Sequence, residues 1–306
     1  MKVTRRDILK LSAAAGAMMT LGPQSLFAQS KTLILKKIPS SGEGIPPIGI
    51  GTNRYGVGTS AEERAPLRAT LNRFQQLGGR LIDTAPMYGN SEAVLGDLIS
   101  ELGIRDRLFL ATKTDMRGMV RGSDSYQASL DRLKTDKVEL MQVHNLVNAA
   151  SELAAMREWQ QDGKIKYIGI TTSQARQFDD MEKLMSSEKL DFVQLNYSLD
   201  DREADKRLLP LAADRGIAVL VNLPFGRGSL FRKTSNQTLP DWAAEFDCDS
   251  WGQFFLKYIV SHPAVTCAIP GTRREEHASD NFAAALGRLP DASLRKRQEQ
   301  LFDNLA

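Results

Sequence analysis

The sequence predicts an α/β fold: a TIM-type (β/α)8 barrel with an N-terminal β-hairpin and a C-terminal helix. Two observations carry this. Eight short apolar runs alternate with amphipathic helical stretches, and the eight units fill about 250 residues, the size of one such barrel. Strands and helices in strict alternation imply parallel pairing through right-handed crossovers. The competing doubly wound sheet has fewer strands and a glycine-rich turn after the first. Here Gly51-Thr52-Asn53-Arg54-Tyr55-Gly56 has no G-x-G-x-x-G pattern.

The first four strand runs are Ile48–Gly51, Arg80–Asp83, Leu108–Ala111 and Val138–Val143. The second four are Tyr167–Ile170, Phe192–Leu195, Ala218–Val221 and Val265–Ile269. Between the first two, Leu67, Leu71, Phe74 and Leu77 recur at helical spacing. After the fourth, Leu153, Met156 and Trp159 do the same. Glycines mark helix ends at Leu77-Gly78-Gly79, Gln161-Asp162-Gly163 and Asp214-Arg215-Gly216. Residues 31–37 and the turn from Ser41 to Pro47 precede the first strand and predict a hairpin plugging the barrel floor. Phe225 to Asp247 is a long polar segment between strands seven and eight, read as a loop on the catalytic face that folds over a ligand or as a plain surface excursion.

The net charge of +3 lies entirely in residues 1–30, where Lys2, Arg5, Arg6 and Lys10 face Asp7. The body from 31 to 306 is balanced, so no electrostatic footprint for nucleic acid is expected. Three histidines and two cysteines exclude a histidine-rich metal centre and a disulfide framework; Cys248 and Cys267 are expected as free thiols. The leader joins a basic start to a short apolar run from Leu11 to Leu21, well under the ~20 residues of a membrane span. Thr4-Arg5-Arg6-Asp7-Ile8-Leu9-Lys10 resembles a twin-arginine (Tat) signal, with an ordinary Sec leader as the alternative. The domain reading is a signal peptide over 1–30 and a barrel domain over 31–306, exported to the periplasm after folding.

In a barrel, residues at the strands' carboxyl ends converge. Those ends offer Asp83, Lys113 and His144, each one βα unit apart, with Tyr88 in the loop after Asp83. A tyrosine has an ordinary pKa of about 10. A lysine cation ~4 Å away at an effective dielectric of about 20 lowers it by up to ~3 units before desolvation opposes the effect. Asp83 pairs with Lys113, and His144 donates to a carbonyl oxygen, so Tyr88 and His144 make a pocket for a developing oxyanion.

Asp83-Thr84-Ala85-Pro86-Met87-Tyr88-Gly89-Asn90-Ser91-Glu92 resembles the aldo-keto reductase signature D-T-A-x-x-Y-G-x-S-E. Ala111-Thr112-Lys113 and Gln142-Val143-His144 match the places of that family's lysine and histidine. The resemblance spans about residues 40–290. It implies hydride transfer from NADPH to an aldehyde or ketone, with Asp83, Tyr88, Lys113 and His144 as a catalytic tetrad and Tyr88 as the acid. It also implies cofactor contacts. Thr171 and Thr172 stand where the family has a Ser-Asn pair, Gln194 matches its strand-six glutamine, and Asn222 replaces a stacking tyrosine. Gly271, Thr272, Arg273 and Asn281 fall in its segment for the adenine and 2′-phosphate. Arg273 or Arg274 would favour NADP over NAD, against which His277 replaces the family's later arginine.

The resulting expectation is an exported carbonyl reductase acting on a small-molecule carbonyl, with the Tat machinery as its export partner. Two other readings stay open: a nicotinoprotein that keeps its dinucleotide and recycles it between two substrates, and a non-turnover binding or redox-sensing barrel. Tyr55, Leu146, Phe225 and Trp242 are candidates for an apolar substrate pocket, or for packing.

Overall fold

The computed structural model describes residues 31–114 and 122–305. The leader assigned to export lies outside the described residues. A compact unit begins at Thr32. It opens with an antiparallel hairpin, β1 (Lys36–Lys37) and β2 (Gly44–Ile45). Its turn closes at Gly42, whose φ of 76° is one that glycine adopts without strain. Ile38 and Ile45 are fully buried in one cluster with Leu81, Phe109, Leu140, Tyr167, Phe192 and Leu220, the inward residues of the barrel strands. The Glu43 carboxylate accepts hydrogen bonds from Arg80 (3.0 Å), Lys166 (2.8 Å) and the Tyr167 hydroxyl (2.8 Å). Arg80 precedes one strand and Lys166 and Tyr167 begin another, so the hairpin plugs the amino ends of the barrel as the sequence predicts.

Eight parallel strands follow in sequence order: β3 (Ile50–Gly51), β4 (Leu81–Asp83), β5 (Phe109–Lys113) and β6 (Val138–His144), then β7 (Ile165–Thr171), β8 (Phe192–Asn196), β9 (Ala218–Asn222) and β10 (Val265–Ala268). Bridges Ile48↔Ala268 and Gly51↔Gly271 join the last strand to the first and close the ring. Strand one is shorter than the run Ile48–Gly51 suggests. Pro46 and Pro47 have no N–H to extend its ladder, and Ile48 makes only a lone bridge. A Cβ at Gly49 would lie 2.8 Å from the Leu81 carbonyl oxygen, so the closure admits no side chain there.

The main helices are α1 (Ala61–Gln76), α2 (Ser91–Leu102), α3 (Gly122–Leu133), α4 (Ala149–Gln161) and α5 (Phe178–Ser187). Then come α6 (Leu208–Arg215), α7 (Ser229–Lys233), α8 (Trp251–Val260), α9 (Glu275–Ala283) and the C-terminal α10 (Ala292–Asp303). Ser60 starts α1 as a capping residue, accepting from Glu63 N–H and donating to its carboxylate. Leu67, Leu71 and Phe74 of α1, and Leu153, Met156 and Trp159 of α4, are buried against the sheet, as their spacing predicts.

The segment from Phe225 to Asp247 is not the open loop the composition suggests. It holds α7 and two 3-10 turns, with Leu230, Ala243 and Phe246 buried. The cause is aromatic packing that residue counting does not reveal. Phe225 lies 4.8 Å from Phe231 and 6.4 Å from Phe255, and Trp242 lies 5.6 Å from Phe254, ring centre to ring centre. Phe225 and Trp242 thus pack against α8. Cys248 and Cys267 are both buried free thiols.

Candidate active site at the carboxyl ends of the strands

Asp83, Lys113 and His144 are the last residues of β4, β5 and β6. Adjacent strands in register bring them together: Asp83 pairs with Ala111, Lys113 with Gln142 and His144 with Thr171. Lys113 Nζ donates to Asp83 Oδ1 at 2.8 Å, to Oδ2 at 2.7 Å and to the Thr84 carbonyl at 2.7 Å. The two side chains are only 1% and 2% exposed, so water does not compete for the pair. Nζ lies 5.1 Å from the centre of the Tyr88 ring, and the Tyr88 and His144 rings meet edge to face at 6.1 Å. The structure therefore assembles all four residues that the sequence singles out.

Electrostatics change one expectation. Burial pushes the Tyr88 hydroxyl above the ordinary tyrosine value, and the Lys113 cation only partly offsets it. The lysine does not produce a lowered pKa here, because desolvation of the phenolate outweighs the attraction. Burial also opposes the Lys113 ammonium, but the Asp83 carboxylate and the Tyr88 oxygen beside it outweigh that and hold its pKa above the usual lysine value. Burial pushes the Asp83 carboxyl up against the pull of Lys113, Gln194 and Gln142. With both oxygens on the ammonium, we assign the charged pair.

The rest of the signature is structural. Ser91 Oγ donates to the Thr52 carbonyl at 3.0 Å, tying the loop after β3 to α2. Glu92 is buried and accepts from Thr112 Oγ1 at 2.6 Å and Arg132 Nε at 2.8 Å. Gln142, beside the histidine, matters more than the motif reading implies: its Nε2 donates to Gln194 Oε1 at 2.8 Å and reaches Asp83 Oδ1 at 3.4 Å. Thr114 accepts the His144 backbone N–H at 3.2 Å. The polarity of Gln142 inside an apolar strand, and of Thr114 just after one, is the only sequence signal for either.

The expected cofactor residues fall in two places. Thr171 and Asn222 end β7 and β9, Gln194 lies within β8 level with Thr171, and Asn196 at the end of β8 pairs with Asn222 in register. Asn222 Nδ2 donates to the Thr172 carbonyl at 2.9 Å, while its buried Oδ1 has no partner among the described residues. The Thr172 hydroxyl donates to Gln177 Oε1 at 2.5 Å and accepts from Gln174 N–H, so it holds its own loop. Gly271, Thr272 and Arg273 line a cavity of about 350 Å³ with Gly51, Asn53, Arg54, Tyr55, Arg274 and His277. Asn281 lies further along α9, buried beside Gly252 of α8, and does not line that cavity. Three arginines and no carboxylate line the cavity, and its glycine floor at Gly51 and Gly271 lets a ligand approach backbone. That donor set fits the phosphates of a dinucleotide.

The family model described as the Aldo/keto reductase family matches residues 47–300, and the twin-arginine translocation signal model matches residues 2–22. Aldo-keto reductase YhdN of Bacillus subtilis is 32% identical over 63% of this chain and 64% of its own length. Methylglyoxal reductase YeaE of Escherichia coli is 29% identical over 85% of this chain and 92% of its own. An aldo/keto reductase from Klebsiella pneumoniae, solved with NADP and acetate, superposes with a TM-score of 0.73 at 23% identity, covering 88% of this chain and 96% of that one. This last similarity shows the fold.

Proposed function

The chain belongs to the aldo/keto reductase family, and from that premise we propose that it reduces a small aldehyde or ketone with NADPH, Tyr88 supplying the proton. The observation that carries this is the buried Lys113–Asp83 pair beneath the Tyr88 ring, facing His144. The dinucleotide, when bound, supplies the hydride. Arg273 and Arg274 would hold its phosphate end, and Thr171, Gln194 and Asn222 its nicotinamide end.

Tyr88 stays protonated through the neutral range because burial raises its pKa. It can therefore donate to an oxygen that gains negative charge as the carbonyl carbon is reduced. The Lys113 cation, fixed by Asp83 and the Thr84 carbonyl, stabilises the phenolate left behind. His144 supplies a second polar edge to orient the carbonyl oxygen. Replacing Tyr88 with Phe is expected to lower kcat on a small dicarbonyl such as methylglyoxal by at least ~10²-fold, the weight of a lost general acid. Turnover at the wild-type rate would overturn the assignment.

The twin-arginine signal favours a second reading of how the cofactor is used. We propose a signal peptide over 1–30, a barrel from residue 31 and a periplasmic destination. Free NADPH is not regenerated there, so a protein exported folded would keep its dinucleotide and exchange hydride between two substrates. Nucleotide surviving desalting of the protein purified from the periplasm supports this reading, and nucleotide-free protein counts against it.

A further inference from the structure

The cavity beside α9 has two walls, and the family resemblance accounts for only one. Arg273, Arg274 and His277 stand on the α9 side; Asn53, Arg54 and Tyr55 stand on the other, in the loop after β3. Neither Arg54, Arg273 nor Arg274 forms an ion pair among the described residues, and all three are exposed. This contrasts with Arg64, Arg68 and Arg105, each held by a carboxylate at 3.2 Å or less. Tyr55 is fully buried, lines the same cavity, and its hydroxyl has no partner among the described residues.

The loop that carries Arg54 is held rigidly. Thr52 N–H and its hydroxyl both donate to the Asp83 carbonyl, at 3.0 and 2.9 Å. Tyr55 N–H donates back to the Thr52 carbonyl at 2.9 Å, and Asn90 Nδ2 donates to the Val57 carbonyl. The buried Tyr55 ring anchors the turn, so the guanidinium one residue earlier starts from a fixed backbone. A pre-positioned cation loses less entropy on binding than a mobile one. The cavity floor is backbone: a Cβ at Gly51 would lie 2.9 Å from the Ile269 carbonyl, and one at Gly271 would lie 3.4 Å from the Gly51 carbonyl.

The geometry points to Arg54 as a second-wall cation that binds the diphosphate of the dinucleotide opposite Arg273 and Arg274. This rests on the reading that the chain binds a nicotinamide dinucleotide. Because NADPH and NADH share the diphosphate, Arg54 acts on both alike, whereas a group that reads the 2′-phosphate acts on NADPH only. Three cations on two walls also favour slow release of nucleotide, in keeping with a protein that keeps its cofactor.

The test is a fluorescence titration of the full chain with NADPH and with NADH, on wild type, Arg54→Gln and Arg54→Lys, with a denaturation midpoint for each. Arg54→Gln is expected to raise Kd for both nucleotides about tenfold, the weight of one charge-assisted hydrogen bond. The ratio of the two Kd values stays unchanged. Arg54→Lys is expected to recover part of the loss, since it keeps the charge without the fork. The midpoints stay the same, because Arg54 holds no other element. Unchanged affinity in Arg54→Gln, with wild type binding, overturns the role of Arg54 and leaves the dinucleotide reading intact. Loss confined to NADPH overturns the diphosphate assignment. Wild type binding neither nucleotide overturns the dinucleotide reading itself.

Discussion

Asp83→Asn removes one charge of the buried pair and keeps its shape. Both Asp83 oxygens lie within 2.8 Å of Lys113 Nζ, and 1% and 2% exposure leaves no route for water to replace the carboxylate. One strong acceptor remains, the Thr84 carbonyl at 2.7 Å. If the ammonium stays charged, breaking a buried pair costs about 3–5 kcal/mol. If it sheds its proton, taking a lysine of ordinary pKa about 10.4 to neutral at pH 7 costs about 4.6 kcal/mol. Both routes give the same magnitude, so a loss of about 3–5 kcal/mol is expected at pH 7, read from urea denaturation. The sign of the pH dependence follows. In wild type the folded lysine pKa is raised, so its contribution is complete below the unfolded value and fades only as pH rises through the folded one. In the variant only the Thr84 carbonyl and the Tyr88 oxygen still favour the ammonium, burial outweighs them, and the folded pKa falls below the unfolded value. The unfolded chain then binds more protons, and the variant gains up to ~1.36 kcal/mol per pH unit as pH rises towards 10. The gap to wild type is therefore expected to narrow between pH 7 and 9. A gap under ~1 kcal/mol at pH 7, or one that widens with pH, would refute the buried-pair argument.

Three other outcomes are expected. The raised Tyr88 pKa predicts a reductive kcat that is flat through neutral pH and falls only above the ordinary tyrosine value; a rate that falls between pH 6 and 8 would point to another acid. Gly96→Ala gains about 1 kcal/mol of helix propensity, but its Cβ would lie 2.3 Å from the Arg132 carbonyl oxygen and 2.7 Å from the Leu133 carbonyl carbon. Backbone cannot yield as a side chain does, so a net loss of about 1–2 kcal/mol is expected by denaturation, and a stabilised variant would show that α2 and α3 are less closely packed. Arg288 holds the Asp247 carboxyl well below the usual carboxylate range, so this pair contributes above the unfolded pKa of about 3.9 and is lost as pH falls through the folded one. Asp247→Asn keeps the left-handed backbone at φ 54°, and with the Arg288 side chain 63% exposed the expected loss is about 0.5–1 kcal/mol at pH 7, shrinking in acid.

The order of the barrel strands and the four residues at the barrel mouth are legible in the amino-acid sequence. Alternation of apolar runs with 3.6-residue periodicity is local information, and parallel strands in chain order leave one arrangement. Residues ending successive strands must then be neighbours, which is why Asp83, Lys113 and His144 were legible before any coordinates. The plug was legible for the same reason, since residues before strand one can only cover the open end. Features that depend on which distant residues pack together are not legible in the sequence. The run from Phe225 to Asp247 is polar in composition, yet Phe231, Trp242 and Phe246 find aromatic partners on and beside α8 and fold it. Gln142 acquires its place between Asp83 and Gln194 only when three strands come into register. The direction of the Tyr88 shift turns on a balance between burial and a nearby cation. Charge spacing can be estimated from strand ends, but the depth of burial cannot, and here it decides the sign.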